Sequence, residues 1–129
     1  MMELKFIQIY NLIEAIESLQ DKPMPFKLSL ILARNLSALN QEKEFYLERE
    51  REFFTKFLQF DEKTGEPIEN KPGVYAIKTG MEQECMEARK ALDDFTVNIE
   101  LRKIPVALIE NLDFTPKQLV ALELIIEEE

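Results

Sequence analysis

The stretch that decides the fold covers residues 26–60 and reads FKLSLILARNLSALNQEKEFYLEREREFFTKFLQF, with no glycine or proline inside it. Most of its residues, such as Leu, Ala, Glu, Lys and Arg, favour helix formation. Because a helix rises about 1.5 Å per residue, a helix over this stretch would be roughly 50 Å long. The sequence therefore predicts one long helix as the central element of the protein.

Apolar side chains recur along this stretch at close to a seven-residue period, the spacing of a helix that packs against another helix. Lys43 and Glu50 interrupt the pattern, which predicts that the helix meets solvent there, or a partner other than a simple coiled-coil strand. The main register contains Leu32, Leu39, Tyr46, Phe53 and Phe60, with Leu36 and Phe57 on the companion register.

The long helix carries more apolar positions than the second helix is expected to cover, so these positions define a candidate interaction face for a partner or a second copy. Packing inside the protein's own core is the alternative, above all for the aromatic members. The first half of the helix has no partner helix of matching length in the sequence. We therefore expect it to pack on the N-terminal helix, the C-terminal helix or another molecule. The candidate face consists of Leu32, Leu36, Leu39, Phe45, Tyr46 and Phe54.

Residues 81–95 carry a second helical pattern, in which apolar residues recur at steps of four and three. Residues 46–60 cover an equal length, so we predict that the two segments form an antiparallel helical hairpin, with bulky side chains facing small ones. The apolar residues of the second pattern are Met81, Cys85, Ala88, Leu92 and Phe95.

Shorter segments surround these two helices. Residues 2–6 and 96–102 alternate apolar and polar side chains, as strands with one buried face do. Residues 9–20 repeat apolar positions at helical spacing until the prolines that follow end the helix. Residues 61–80 form a charged loop that includes a short strand over 74–78. This strand, residues 2–6 or both could pair with 96–102.

The final helix has a clear start, because Thr115 can cap it, Pro116 fits its first position and Gln118 completes a capping box. We expect it to extend to about Ile126, with the closing glutamates at 127–129 fraying because they oppose the helix dipole. The fold predicted is α+β and mainly α: a long antiparallel helical hairpin with N- and C-terminal helices and a small two- or three-stranded sheet. The chain is expected to be a single domain over residues 1–129.

Composition narrows the class of protein. The 129 residues are 46% hydrophobic and 32% charged, which is typical of a soluble globular protein. Neither a membrane span nor a secretory signal is recognisable, so we expect a cytoplasmic protein. A net charge of −9 disfavours direct binding to nucleic acid or to an anionic membrane, but would attract a basic protein surface.

The chain lacks histidine and has one cysteine, Cys85, which excludes imidazole-based catalysis and an internal disulfide. Cys85 lies in a helical pattern and is expected to be a small buried group. Four acids of the charged loop do not have the spacing of a calcium site, so we predict no metal and no cofactor. They are Asp61, Glu62, Glu66 and Glu69.

The C-terminal stretch IPVALIENLDFTPKQLVALELIIEE over residues 104–128, after the strand TVNIEL and a charged helical hairpin, resembles small uncharacterised proteins of bacteriophages and prophages. Those proteins combine a short strand and helix, a long charged helix, an acidic loop, a second helix and a Thr-Pro-capped terminal helix. The resemblance implies a bacterial host-cell cytoplasm or a virion as the location. It implies no functional residue.

These observations leave three functional hypotheses. The first is a non-enzymatic phage or prophage protein that works through protein–protein contacts, in particle assembly or on a host factor. The second is an acidic mimic of nucleic acid that inhibits a host or defence protein. The third is a carboxylate-dependent enzyme, which would need a pocket that gathers two or more acids.

Overall fold

A computed structural model describes residues 2–127 of the chain, and about 56% of the chain is helical. The predicted α+β, mainly α class is confirmed. In chain order the elements are β1 (Met2–Lys5), α1 (Phe6–Glu17), α2 (Phe26–Phe57), β2 (Glu69–Lys71), β3 (Val74–Tyr75), α3 (Glu82–Asp94), β4 (Thr96–Ile99), β5 (Ile104–Pro105), α4 (Pro116–Leu122) and β6 (Ile126–Glu127), with 3₁₀ turns at Val106–Leu108 and Glu123–Ile125.

The described chain forms two compact units. The first unit contains residues 2–44 and 96–127, and the second contains Phe45–Phe95. Helix α2 contributes its first part to one unit and its second part to the other. The single domain predicted for residues 1–129 stays a prediction, because a compact unit is defined by its contacts and not by independent folding.

In the first unit, the first part of α2 packs into the core on one face. Leu28, Leu32, Asn35 and Leu39 recur at steps of four, three and four, and each is at most 5% exposed. The first half of α2 is therefore covered on this face by other residues of the same chain. Helix α1 supplies other core residues at helical spacing, including Ile9, Leu12, Ile13 and Ile16.

Strand β1 pairs antiparallel with β4, as predicted for residues 2–6 and 96–102, and Leu4 and Ile99 are buried. The second strand is shorter than predicted because the main chain of Arg102 binds the side chain of Asn35 instead of another strand. The predicted strand over 74–78 does not join this pair. Its first two residues, Val74 and Tyr75, form β3 and pair with β2 in the second unit.

The final helix is shorter than predicted. Helix α4 ends at Leu122, a 3₁₀ turn follows, and β6 pairs parallel with β5, so that Ile126 lies beside Ile104. Pairing with a strand and helical hydrogen bonding compete for the same peptide groups, so the helix cannot reach Ile126. The predicted fraying concerns Glu127, which lies in β6, and Glu128 and Glu129, which are outside the described residues.

In the second unit, α2 ends at Phe57, three residues earlier than predicted, because the next residues join extended segments. The Gln59 N–H donates to the Ala76 carbonyl at 2.9 Å, and Leu58 bridges Ile77. Leu58 and Ala76 are buried there with Cys85 of α3. Burial raises the pKa of the Cys85 thiol, as expected for a small core side chain.

Candidate binding groove

A groove of about 530 Å³ lies between α1 and α4 in the first unit. We call it the α1–α4 groove. Its size is within the range of pockets that bind small ligands or a few residues of a peptide. Its lining residues are Gln8, Asn11, Glu14, Ala15 and Ser18 from α1 and the residue after it, and Thr115, Lys117, Gln118, Val120, Ala121 and Leu124 from α4 and its flanks.

Buried residues on the inner faces fix the two helices that form the groove. Leu12 of α1, Leu122 of α4 and the adjacent Ile125 are at most 1% exposed. At one end, Gln118 Nε2 donates to Ser18 Oγ at 3.3 Å, which joins the first turn of α4 to the C-terminal end of α1. The walls are therefore held by core packing and, at this end, by the hydrogen bond between Gln118 and Ser18.

The groove is open because two of its residues are small. Ala15 is 6% exposed and Ala121 is half-buried, so these alanines form the floor. A longer side chain at either position would occupy the space between the helices. On the α4 side, the apolar part of the wall is formed by Val120, which is 72% exposed, and Leu124, which is 39% exposed.

The α1 wall is polar and has unused hydrogen-bonding capacity. The Gln8 Oε1 accepts from the Lys5 N–H at 2.8 Å and so caps α1, whereas Gln8 Nε2 has no partner among residues 2–127. Asn11, one turn further along, makes no side-chain hydrogen bond within the described part of the chain. Two carboxamides thus offer donors and an acceptor to anything bound in the groove.

Glu14 and Lys117 line the groove on different helices. Neither forms a salt bridge with any residue that the structure describes. Glu14 is the one carboxylate among the described lining residues, so the groove does not gather the two acids that the enzyme hypothesis requires. The arrangement is one for binding: an apolar wall, a small-residue floor, two carboxamides and two separate charges.

The predicted interaction face on α2 is largely covered by the protein itself. Leu32 and Leu39 are buried in the first unit and Tyr46 is buried in the second, so these three cannot contact a partner in this conformation. Leu36 and Phe54 are half-buried, and Phe45 is 42% exposed. The seven-residue period marks the sides of the helix that pack internally.

Sequence reasoning missed every residue of the groove. The usable signal was a pair of alanines, Ala15 and Ala121, at positions where helices that pack fully would carry larger side chains. That signal is weak, because alanine is common in helices for its propensity alone. Only the packing of α1 against α4 brings Ala15 and Ala121 together in one groove.

A polar cluster in the second unit joins α2 to α3 through Arg89. Its guanidinium donates to Glu50 Oε2 at 3.2 Å and to the Tyr46 hydroxyl at 3.1 Å, and it forms a salt bridge with Asp93 at 3.2 Å. Burial, and next the charge of Glu50, raises the pKa of Tyr46 to about 12. Partial burial alone would lower the pKa of Arg89, but its acidic partners raise it.

Two acidic side chains of the charged loop, Asp61 and Glu69, bind main-chain groups. Asp61 Oδ1 accepts from the N–H groups of Lys63 and Thr64, and Glu69 Oε1 accepts from the Gly73 N–H at 2.6 Å. Gly73 has a φ of +79°, which favours glycine at this turn. Between residues 2 and 127, no group of three Cys, Asp or Glu side chains is arranged to hold a metal ion.

None of the helices in the described part of the chain is both long and apolar enough to cross a membrane. Comparison of the chain with protein-family models, with curated protein sequences and with solved structures finds no match.

Proposed function

We propose that this protein is a non-enzymatic phage or prophage protein that acts through protein–protein contacts, in assembly or on a host factor, and that the α1–α4 groove is its contact surface. The observation that carries the proposal is the exposure of Val120 and Leu124 along one wall of a groove with an alanine floor. A wall of this kind, beside polar groups, is typical of a surface that another chain covers.

The apolar wall alone would bind weakly. Covering Val120 and Leu124 would contribute about 1–2 kcal/mol for each side chain, since both are already partly covered. Association costs at least about 4 kcal/mol in lost freedom of motion, so further contacts are required. Gln8, Asn11, Glu14 and Lys117 can supply them and would also select among partners.

We propose that residues 46–60 and 81–95 form the antiparallel hairpin that supports the second unit. Arg89 contacts Tyr46 and Glu50, while Lys78, three residues before the second segment, donates from Nζ to the Thr55 carbonyl at 3.2 Å. The chain around the second segment therefore runs towards higher residue numbers as the first segment runs towards lower ones. This order is the one that an antiparallel arrangement requires. The hairpin is a scaffold in this proposal and not a contact surface.

The acidic-mimic hypothesis ranks lower. A mimic of nucleic acid needs a row of unpaired carboxylates, whereas on α2 and α3 three of the acids, Glu50, Glu52 and Asp93, are paired with arginine. Arg49 binds Glu52 at 3.0 Å, and Arg89 binds both Glu50 and Asp93. The net charge of −9 would attract a basic partner under either hypothesis, so it does not favour the mimic over the groove proposal.

Site-specific photocross-linking in bacterial cells tests the proposal. A photoreactive amino acid replaces Val120 in the groove or, as a control, Val74 in β3, which is 53% exposed. We expect a discrete protein adduct from position 120 and none from position 74. Ala121→Leu should abolish the adduct by filling the floor, whereas Ala91→Leu on the exposed side of α3 should preserve it. An equal yield of the position-120 adduct in the Ala121→Leu and Ala91→Leu variants would contradict the proposal.

A further inference from the structure

The groove residues also restrict the conformation of the partner. We infer that the α1–α4 groove binds a short segment of a partner protein in an extended conformation, held by its main chain and by one apolar side chain, with a basic residue beside Glu14. This inference rests on the function proposed above. Its basis is the placement of Gln8 and Asn11 on one wall opposite Val120 and Leu124 on the other.

The two carboxamides favour an extended main chain over a helix. A helical partner satisfies its peptide groups internally and would bury Gln8 Nε2 and the Asn11 amide without main-chain partners. An extended segment leaves N–H and C=O groups open along its edges. Residues one turn apart on a helix are about 5–6 Å from each other, close to the spacing of alternate peptide groups in a strand. Each carboxamide can therefore take a peptide group of the same segment.

The apolar wall sets the side-chain pattern. In an extended segment alternate side chains point to the same side, so one apolar side chain would reach the floor at Ala15 and Ala121 while its neighbours point outward. The lining from Gln8 to Ser18 covers about 15 Å along α1, which matches roughly four or five extended residues. The occupant is thus a short motif and not a whole folded surface.

Charge selects a basic motif. Glu14 is exposed, lines the groove and has no salt-bridge partner among the residues described. A lysine or arginine next to the apolar anchor would pair with it. The electrostatic field of a chain with a net charge of −9 also favours the approach of a positively charged partner.

Selection from a displayed library of random linear peptides on the intact chain tests this inference. Peptides are retained if they bind the protein and the Ala91→Leu variant but not the Ala121→Leu variant. We expect the retained peptides to share an apolar residue next to Lys or Arg. Methylation of single backbone nitrogens should weaken binding about tenfold at alternate positions, as loss of a main-chain hydrogen bond does.

Groove variants then identify the contacts by isothermal titration calorimetry. Asn11→Leu should weaken binding about tenfold and Asn11→Gln should recover part of the loss, because Gln retains a carboxamide. Glu14→Gln should weaken basic peptides about threefold, and less at high salt. Asn11 and Glu14 are exposed, so these variants are expected to keep the fold, which thermal unfolding checks.

The outcomes separate this inference from the proposed function. Retained peptides that become helical on binding and tolerate backbone methylation would overturn the extended conformation and leave the groove as a contact surface. Retained peptides without a basic residue, or insensitive to Glu14→Gln, would overturn the basic motif. If no peptide distinguishes Ala121→Leu from Ala91→Leu, the groove does not bind peptides, and both this inference and the proposed surface fail.

Discussion

The side-chain amide of Asn35 binds both main-chain groups of Arg102: Nδ2 donates to the carbonyl oxygen at 2.9 Å, and Oδ1 accepts from the N–H at 2.8 Å. Asn35 is 1% exposed and lies on the face of α2 that also carries Leu32 and Leu39. The Asn35 amide thereby supplies Arg102, which follows the end of β4, with the hydrogen bonds that a neighbouring strand would otherwise supply. These two hydrogen bonds explain why the polar Asn35 is found in the core.

Replacing Asn35 by Ala or Leu should reduce the free energy of unfolding by about 2–4 kcal/mol. Either change leaves the partly buried N–H and C=O of Arg102 without their Asn35 partners, and each unpaired group costs about 1–3 kcal/mol. Denaturant unfolding measures the loss. Asn40→Ala is the matched control, since Asn40 is a half-buried residue of the same helix. A loss for Asn35→Leu no larger than that of the control would show that these bonds do not stabilise the fold.

The Tyr46 hydroxyl should ionise at unusually high pH. Its pKa is about 12 in the folded protein against 10.0 for an ordinary tyrosine, so the folded state binds more protons than the unfolded state between those values. The contribution to stability is complete below pH 10 and is lost as pH rises towards 12. Ultraviolet titration should show a tyrosinate step near pH 12 that Tyr46→Phe removes.

The same variant separates this ionisation from general unfolding in alkali. Between pH 10 and 12 the wild-type protein should lose more unfolding free energy than Tyr46→Phe, because the variant has no phenol at position 46 to ionise. Parallel losses in the two proteins would mean that Tyr46 does not carry the effect.

Arg89 should stabilise the second unit more than a typical surface arginine. Arg89→Ala removes its bonds to Glu50, Tyr46 and Asp93 and is expected to reduce the unfolding free energy by about 1–2 kcal/mol, a moderate value because the side chain is partly exposed. Arg89→Lys should recover less than half, since an ammonium group cannot bind three partners in the same plane.

Arg49 provides the control for Arg89. It pairs with Glu52 one turn away and is 49% exposed, so Arg49→Ala should change the unfolding free energy by no more than about 0.5 kcal/mol. Denaturant midpoints at low and high salt compare the two. Equal effects of both arginines would argue against a joining role for Arg89.

Thr115 should control the order of the α4 wall. Its hydroxyl accepts from the Gln118 N–H at 3.2 Å, and Gln118 Oε1 accepts from the Thr115 N–H at 3.0 Å. Thr115→Ala is expected to reduce stability by about 1 kcal/mol and to speed amide hydrogen exchange in α4, while Thr115→Ser should preserve both. Unchanged exchange in the alanine variant would show that core packing alone orders the helix.

The capping box at Thr115 and Gln118 was predicted correctly because all its partners lie within four residues. The start of α2 at Phe26 was predicted for a similar reason, since local propensity and the prolines before it act over short distances. The alternation in β1 and β4 also identified one strand pair, because each strand needs a buried face and a neighbour. In the candidate interaction face, Leu32, Leu39 and Tyr46 are covered by the protein itself, because the period of an apolar pattern identifies which side of a helix is apolar, but not what covers it.

Local sequence patterns were enough to predict the class of fold, helices α1 to α4 and strands β1, β3 and β4 to within a few residues, and the cap of the final helix. Tertiary structure decided the rest. Residues far apart in the chain place Asn35 beside Arg102, end α4 by pairing Ile126 with Ile104, and set Ala15 near Ala121 to leave a groove. Local patterns depend on interactions within a turn or two, whereas a binding surface is formed by packing between distant segments.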